Sequence, residues 1–101
     1  MNFADQFAPE AAALVAAEAA FDLKQDAPTL AALEAAEAVY FPALTAAKAE
    51  FGKIADALTR DQVASAEENA LDTLAENRID PSSVVGRIAF PRLATATAKL
   101  L

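Results

Sequence analysis

Residues 33–58 read LEAAEAVYFPALTAAKAEFGKIADAL, and one face of this stretch decides the fold. Leu33, Ala36, Tyr40, Leu44, Ala47, Phe51, Ile54 and Leu58 follow one another at steps of three or four. At about 100° per residue they fall on one side of a helix. An apolar stripe of this kind needs other helices to cover it. Asp26 or Ala27 precedes Pro28, a residue favoured at the first helical position. The helix is therefore expected from about Pro28 to Leu58, roughly 45 Å long at 1.5 Å per residue. Pro42 falls in its middle. It removes the hydrogen bond to the Ala38 carbonyl and is expected to bend the helix or split it in two.

Upstream, Asn2 precedes Asp5 in a weak N-cap arrangement. Phe3, Phe7, Leu14, Ala17 and Phe21 share a face that Pro9 interrupts, so the first helix either kinks or starts afresh there. Downstream, Thr59-Arg60-Asp61-Gln62 is a capping box, with Thr at the cap and Gln three residues on. It opens a helix to about Asn77, with Val63, Ala70, Leu71 and Leu74 as its apolar stripe. Asp80-Pro81 reads as a further cap. A short helix through Val84, Val85 and Ile88 is expected to follow and to end at Pro91, where a last segment with Leu93, Ala96 and Leu100 begins.

These readings predict an all-α protein: a small Ala-rich bundle of three to five helices, one domain over residues 1–101, with the long Pro-kinked helix as its spine. Composition agrees. Alanine, the best helix former, fills 29 of 101 positions, and the clustered Val, Ile, Thr and aromatics of strands are absent. Alanine also supplies over half of the 55% hydrophobic residues, so the core is expected to be thin for its length.

The chemistry is sparse. The chain has no His, Cys or Trp, which excludes a Ser-His-Asp or Cys-His site and the usual zinc ligands. Neither Gly52 nor Gly86 has a second glycine nearby, so no phosphate loop is present. Glu68, Asp72 and Glu76 lie four apart along one helix face, a pattern that fits a solvated surface better than a metal site. No catalytic, cofactor-binding or metal-binding residue is assigned, and no small-molecule substrate is expected. No uninterrupted apolar run reaches the roughly 18 residues of a membrane span. The first 20 residues carry Asp5, Glu10 and Glu18 without a basic start, unlike a signal peptide. A soluble protein, intracellular or inside a particle assembled there, is the expectation, with no membrane partner.

The net charge of −7 is unevenly distributed. Residues 1–37 carry −6, whereas Arg78, Arg87, Arg92 and Lys99 leave residues 78–101 at +3. Direct nucleic-acid readout is not expected of so acidic a chain. What remains is contact between proteins. Phe41 and Phe90 stand beside prolines at helix breaks, where an aromatic anchor is exposed more readily than in mid-stripe. Val39 faces away from the Leu33 stripe, giving the long helix a second apolar side. Glu37 and Glu67 sit at the edges of apolar stripes and are expected to keep their heads in water or to meet an Arg or Lys across a helix or subunit contact; Arg60 and Arg78 share the Glu67 side of the third helix, and Arg87 and Arg92 are also available. These seven residues are the interface candidates. The expected function is that of a non-enzymatic structural or assembly subunit, packing helix faces against copies of itself or other proteins in a larger complex such as a virus particle. The alternative is a small acidic inhibitor or adaptor that binds a basic protein.

Overall fold

The computed structural model describes residues 2–101, and every regular element in them is helical. In chain order they are α1 (Phe3–Phe7), α2 (Pro9–Leu23), α3 (Ala27–Ala55), α4 (Arg60–Glu76) and α5 (Val84–Ala98). The all-α bundle expected from the sequence is the observed fold.

Local chemistry sets most boundaries. The Asn2 side chain accepts from the Asp5 amide at 2.9 Å and caps α1. The chain then breaks at Ala8 and restarts with Pro9 in the first turn of α2. At α3 the Asp26 carboxylate accepts from the Thr29 amide at 3.0 Å, while the Asp26 amide donates to Thr29 Oγ1 at 3.2 Å. The Thr29 amide, with the Thr29 hydroxyl donating to the same carboxylate at 2.8 Å, holds the Asp26 carboxyl below the usual range. The Thr59–Gln62 box forms as expected, with reciprocal bonds of 3.2 and 3.0 Å. α4 closes in a Schellman turn: Ile79 N–H donates to the Leu74 carbonyl and Arg78 N–H to that of Ala75. Arg78 takes the left-handed conformation this turn requires, at φ 59°.

Three expectations need correction. Of the bend or split expected at Pro42, the split does not occur: α3 runs unbroken for 29 residues. Nor does Pro91 end a helix; α5 passes through it with the proline ring buried. In both cases packing along the helix outweighs the roughly 3 kcal/mol that proline costs in a helix interior. The third concerns the start of α5. Asp80 closes a turn instead of capping the helix: its carboxylate accepts from the Ser82 amide and hydroxyl, both at 2.8 Å, and these bonds lower its pKa. The cap is Ser83, whose hydroxyl accepts from the Gly86 amide at 3.0 Å.

The helix at the centre is α5, not the long α3. Over half of α5 is buried, including Ile88, Ala89, Leu93, Ala94 and Ala98. It runs parallel to α3, tied by Tyr40 Oη donating to the Val84 carbonyl at 2.8 Å near one end and by the Lys99–Glu50 pair at 3.4 Å near the other. Burial raises the Tyr40 pKa. α4 returns antiparallel on another side of α5, where Asn69 Nδ2 donates to Thr97 Oγ1 at 2.8 Å. α2 folds back along α3. Its first turn meets α5 through Glu10, whose carboxylate accepts from both terminal nitrogens of Arg92 at 2.8 and 2.7 Å. Arg92 also donates to the Phe7 carbonyl at 3.0 Å, which docks α1. The fork holds the Glu10 carboxyl below its usual range, against the opposing push of burial.

The stripe of residues 33–58 does face the interior, with Tyr40 and Ala47 buried and the rest half-buried. The core is as thin as composition implies: among the buried hydrophobics of the described residues only Leu14, Tyr40, Leu74, Ile88 and Leu93 are larger than alanine. From Val15 to Val39 no residue is buried at all. The distal halves of α2 and α3 thus form an arm, and the molecule measures 50 × 25 × 21 Å.

Candidate interaction surface

α3 and α4 are joined by four residues yet make almost no contact, because α5 lies between them. This leaves a groove with α3 on one wall, α4 on the other and α5 as the floor. Lys48, Glu67, Leu71, Pro81, Arg87 and Phe90 line a cleft of about 310 Å³ there. A second cleft, of about 300 Å³, opens on the α2 side of the α5 N-terminus, with Glu37, Tyr40, Phe41 and Arg87 in its lining. Arg87 lines both, so the two form one band across α3, α5 and α4.

Five of the seven sequence candidates meet in this band: Glu37, Phe41, Glu67, Arg87 and Phe90. Phe41 is 50% exposed, an unusual state for phenylalanine in so small a protein. Phe90 is half-buried and packs on the core from the groove floor. Glu37 and Glu67 are half-buried, and neither forms an ion pair among the described residues. Arg87 donates from Nε to the Ser82 carbonyl at 3.0 Å. That bond anchors its guanidinium and leaves both terminal nitrogens without a protein acceptor among the described residues.

The other two candidates lie elsewhere. Val39 is 58% exposed but belongs to neither cleft. Arg92 is taken up within the fold by Glu10, a partner the sequence reading did not choose. Arg92 also borders a third cleft of about 390 Å³, otherwise lined largely by alanines and by Glu50, Thr95 and Lys99. Arg78, at the α4 C-terminal turn, makes no ion pair with Glu67.

Two groove residues escaped the sequence reading. Leu71 was placed in the core stripe of α4, but Ala66, Ala70 and Leu74 fill that face and Leu71 is 44% exposed. Lys48 was not singled out, although it follows Phe41 by seven residues and so shares its side of α3. Both were findable once α4 was known to touch α5 alone.

The remaining chemistry stays dispersed. Among the described residues no three acidic side chains gather in a way that could hold a metal. α3 is long and apolar enough to cross a membrane by length and composition, but 11 of its 29 residues are alanine and it carries Glu34, Glu37, Lys48, Glu50 and Lys53. Comparison with family models, curated proteins and solved structures gives no match for this chain.

Proposed function

We propose that this chain is a non-enzymatic assembly protein that docks other protein subunits on the α3–α5–α4 band. The observation that carries the reading is the convergence of Phe41, Leu71 and Phe90 with Arg87 on one side of the molecule. An exposed phenylalanine, with a half-buried one beside an arginine that has spare donors, matches the composition of interface hot spots, where a few such residues carry most of the binding energy. The setting is aqueous contact between proteins within a larger complex. A bilayer is disfavoured because a charged residue at its centre costs about 2.5–3.5 kcal/mol on insertion scales, and the apolar stretch of α3 carries both Glu34 and Glu37.

The test is a pair of truncations, Phe41→Ala and Leu71→Ala. Both side chains are half-exposed, so stability should fall by no more than about 1 kcal/mol. Loss of the native complex on size-exclusion chromatography with light scattering is the expected result. Complexes of unchanged size with both variants would refute the reading.

A second reading rests on the arm. Between Val15 and Val39 it exposes Glu18, Asp22 and Glu34, and Leu23 at its end is 90% exposed. This surface suits a basic protein partner, as the acidic-adaptor alternative requires. Such binding would weaken steeply between 50 and 500 mM salt, two concentrations chosen to span strong and weak screening.

A further inference from the structure

We infer that the partner seated in the α3–α4 groove is a second copy of this chain, paired across a two-fold axis through the cleft. The inference rests on the proposed docking function and names its occupant. Three observations support it.

The first is charge. The chain as a whole is strongly acidic, at −7. The band is not: Lys48 and Arg87 stand among Glu37 and Glu67, with Glu18 at its far edge. A partner of one strong sign finds no matching field there. A copy of the same face does, because a two-fold contact is self-complementary and makes each pairing twice. Glu67 on α4 and Arg87 on α5 border the same cleft, so an axis between them sets Glu67 of each copy against Arg87 of the other.

The second is Arg87 itself. Its Nε bond to the Ser82 carbonyl fixes the guanidinium while both terminal nitrogens stay unused within the described residues. A planar fork held in this way fits a carboxylate with two parallel bonds. Glu67, half-buried and equally unpaired, is such a carboxylate.

The third is the centre. The same axis brings Leu71 and Phe90 of the two copies together, giving an apolar middle ringed by the charged pairs.

Charge reversal tests this without the native context. Sedimentation velocity is run on the parent chain, on Arg87→Glu, on Glu67→Arg and on an equimolar mixture of the two variants. The parent is expected to sediment at twice its 10.5 kDa mass. Each variant alone places like charges in apposition twice and should weaken the dimer at least about 100-fold. In the mixture every reversed residue meets its complement, so the dimer should return. Circular dichroism on each variant checks that the fold survives. A parent monomeric to about 1 mM, variants that remain dimeric, or a mixture that fails to pair would each overturn the inference. If the parent is monomeric while Phe41→Ala still dissolves the native complex, self-pairing is wrong and the docking surface stands.

Discussion

Gly86 and Gly52 are both helical glycines, and alanine should act on them with opposite sign. Gly86 lies in the first turn of α5, directly under the Asp80–Pro81 turn. A methyl group there would collide with the Asp80 carbonyl oxygen and stand 2.8 Å from Pro81 Cα and 2.9 Å from the Asp80 carbonyl carbon. All three are backbone atoms, so no rotamer change relieves the clash. The turn must move, yet it is pinned by Ser83 Oγ donating to the Asp80 carbonyl at 2.6 Å and by Ser83 capping Gly86. Overpacking of this kind costs about 1–3 kcal/mol, and losing the cap adds about 1. Alanine's helix preference returns about 1 kcal/mol, leaving Gly86→Ala destabilised by about 1–3 kcal/mol. Gly52 has nothing within 4 Å of its added Cβ, so Gly52→Ala keeps only the propensity gain, about 0.5–1 kcal/mol. Urea unfolding followed by far-ultraviolet circular dichroism measures both, with thermal shifts of about 4–8 °C per kcal/mol in a domain this small. A Gly86→Ala protein as stable as its parent would refute the close approach of the Asp80–Pro81 turn to α5.

Further outcomes follow from the same contacts. Arg78→Gly should stabilise by about 1 kcal/mol, because arginine bears the steric cost of the left-handed position that glycine avoids; chemical denaturation checks this. Glu10→Gln should destabilise by about 1.5–3 kcal/mol, since it leaves the half-buried Arg92 fork without its charged acceptor. The Glu10 carboxyl is lowered by folding, so its contribution is complete above the unfolded value near 4.5 and is lost as pH falls through the lower folded value. Asp26 and Asp80 are shifted the same way, and a stability profile between pH 2 and 6, a range chosen to bracket these carboxyls, should fall on the acid side and fall less steeply in Glu10→Gln. Pro42→Ala should raise stability by about 1–3 kcal/mol and leave helicity equal or higher, because Pro42 is exposed and its ring packs on no core residue. A destabilised variant would mean that α3 depends on that proline.

The helices were legible wherever side chains near in sequence decide the outcome. The stripe from Leu33 to Ile54 and the Thr59–Gln62 box each depend on residues within one or two turns, and both appear as read, although α3 ends at Ala55 and leaves Leu58 beyond it. The continuation of α5 through Pro91 was not legible. It depends on α3 and α4 flanking a helix whose own sequence argues for a break. The same non-local fact moved Leu71 from core to surface, since one helix contact needs only Ala66, Ala70 and Leu74. At the site, Phe41 and Phe90 were found through their prolines, and Glu37 and Glu67 through their place on apolar edges. That Arg92 is consumed by Glu10, 82 residues away, while Arg87 stays with these residues depends on contacts between elements, which no local pattern encodes.

On the proposed function, one side of this bundle, and not the whole surface, meets other proteins. The most direct measurement places a photo-crosslinking amino acid at position 41, at position 71 and, as a control, at Glu76, which is exposed on the outer side of α4. Illumination in the native setting should trap protein adducts from positions 41 and 71 and none from 76. Equal adducts from all three positions, or none from 41 and 71, would contradict the account.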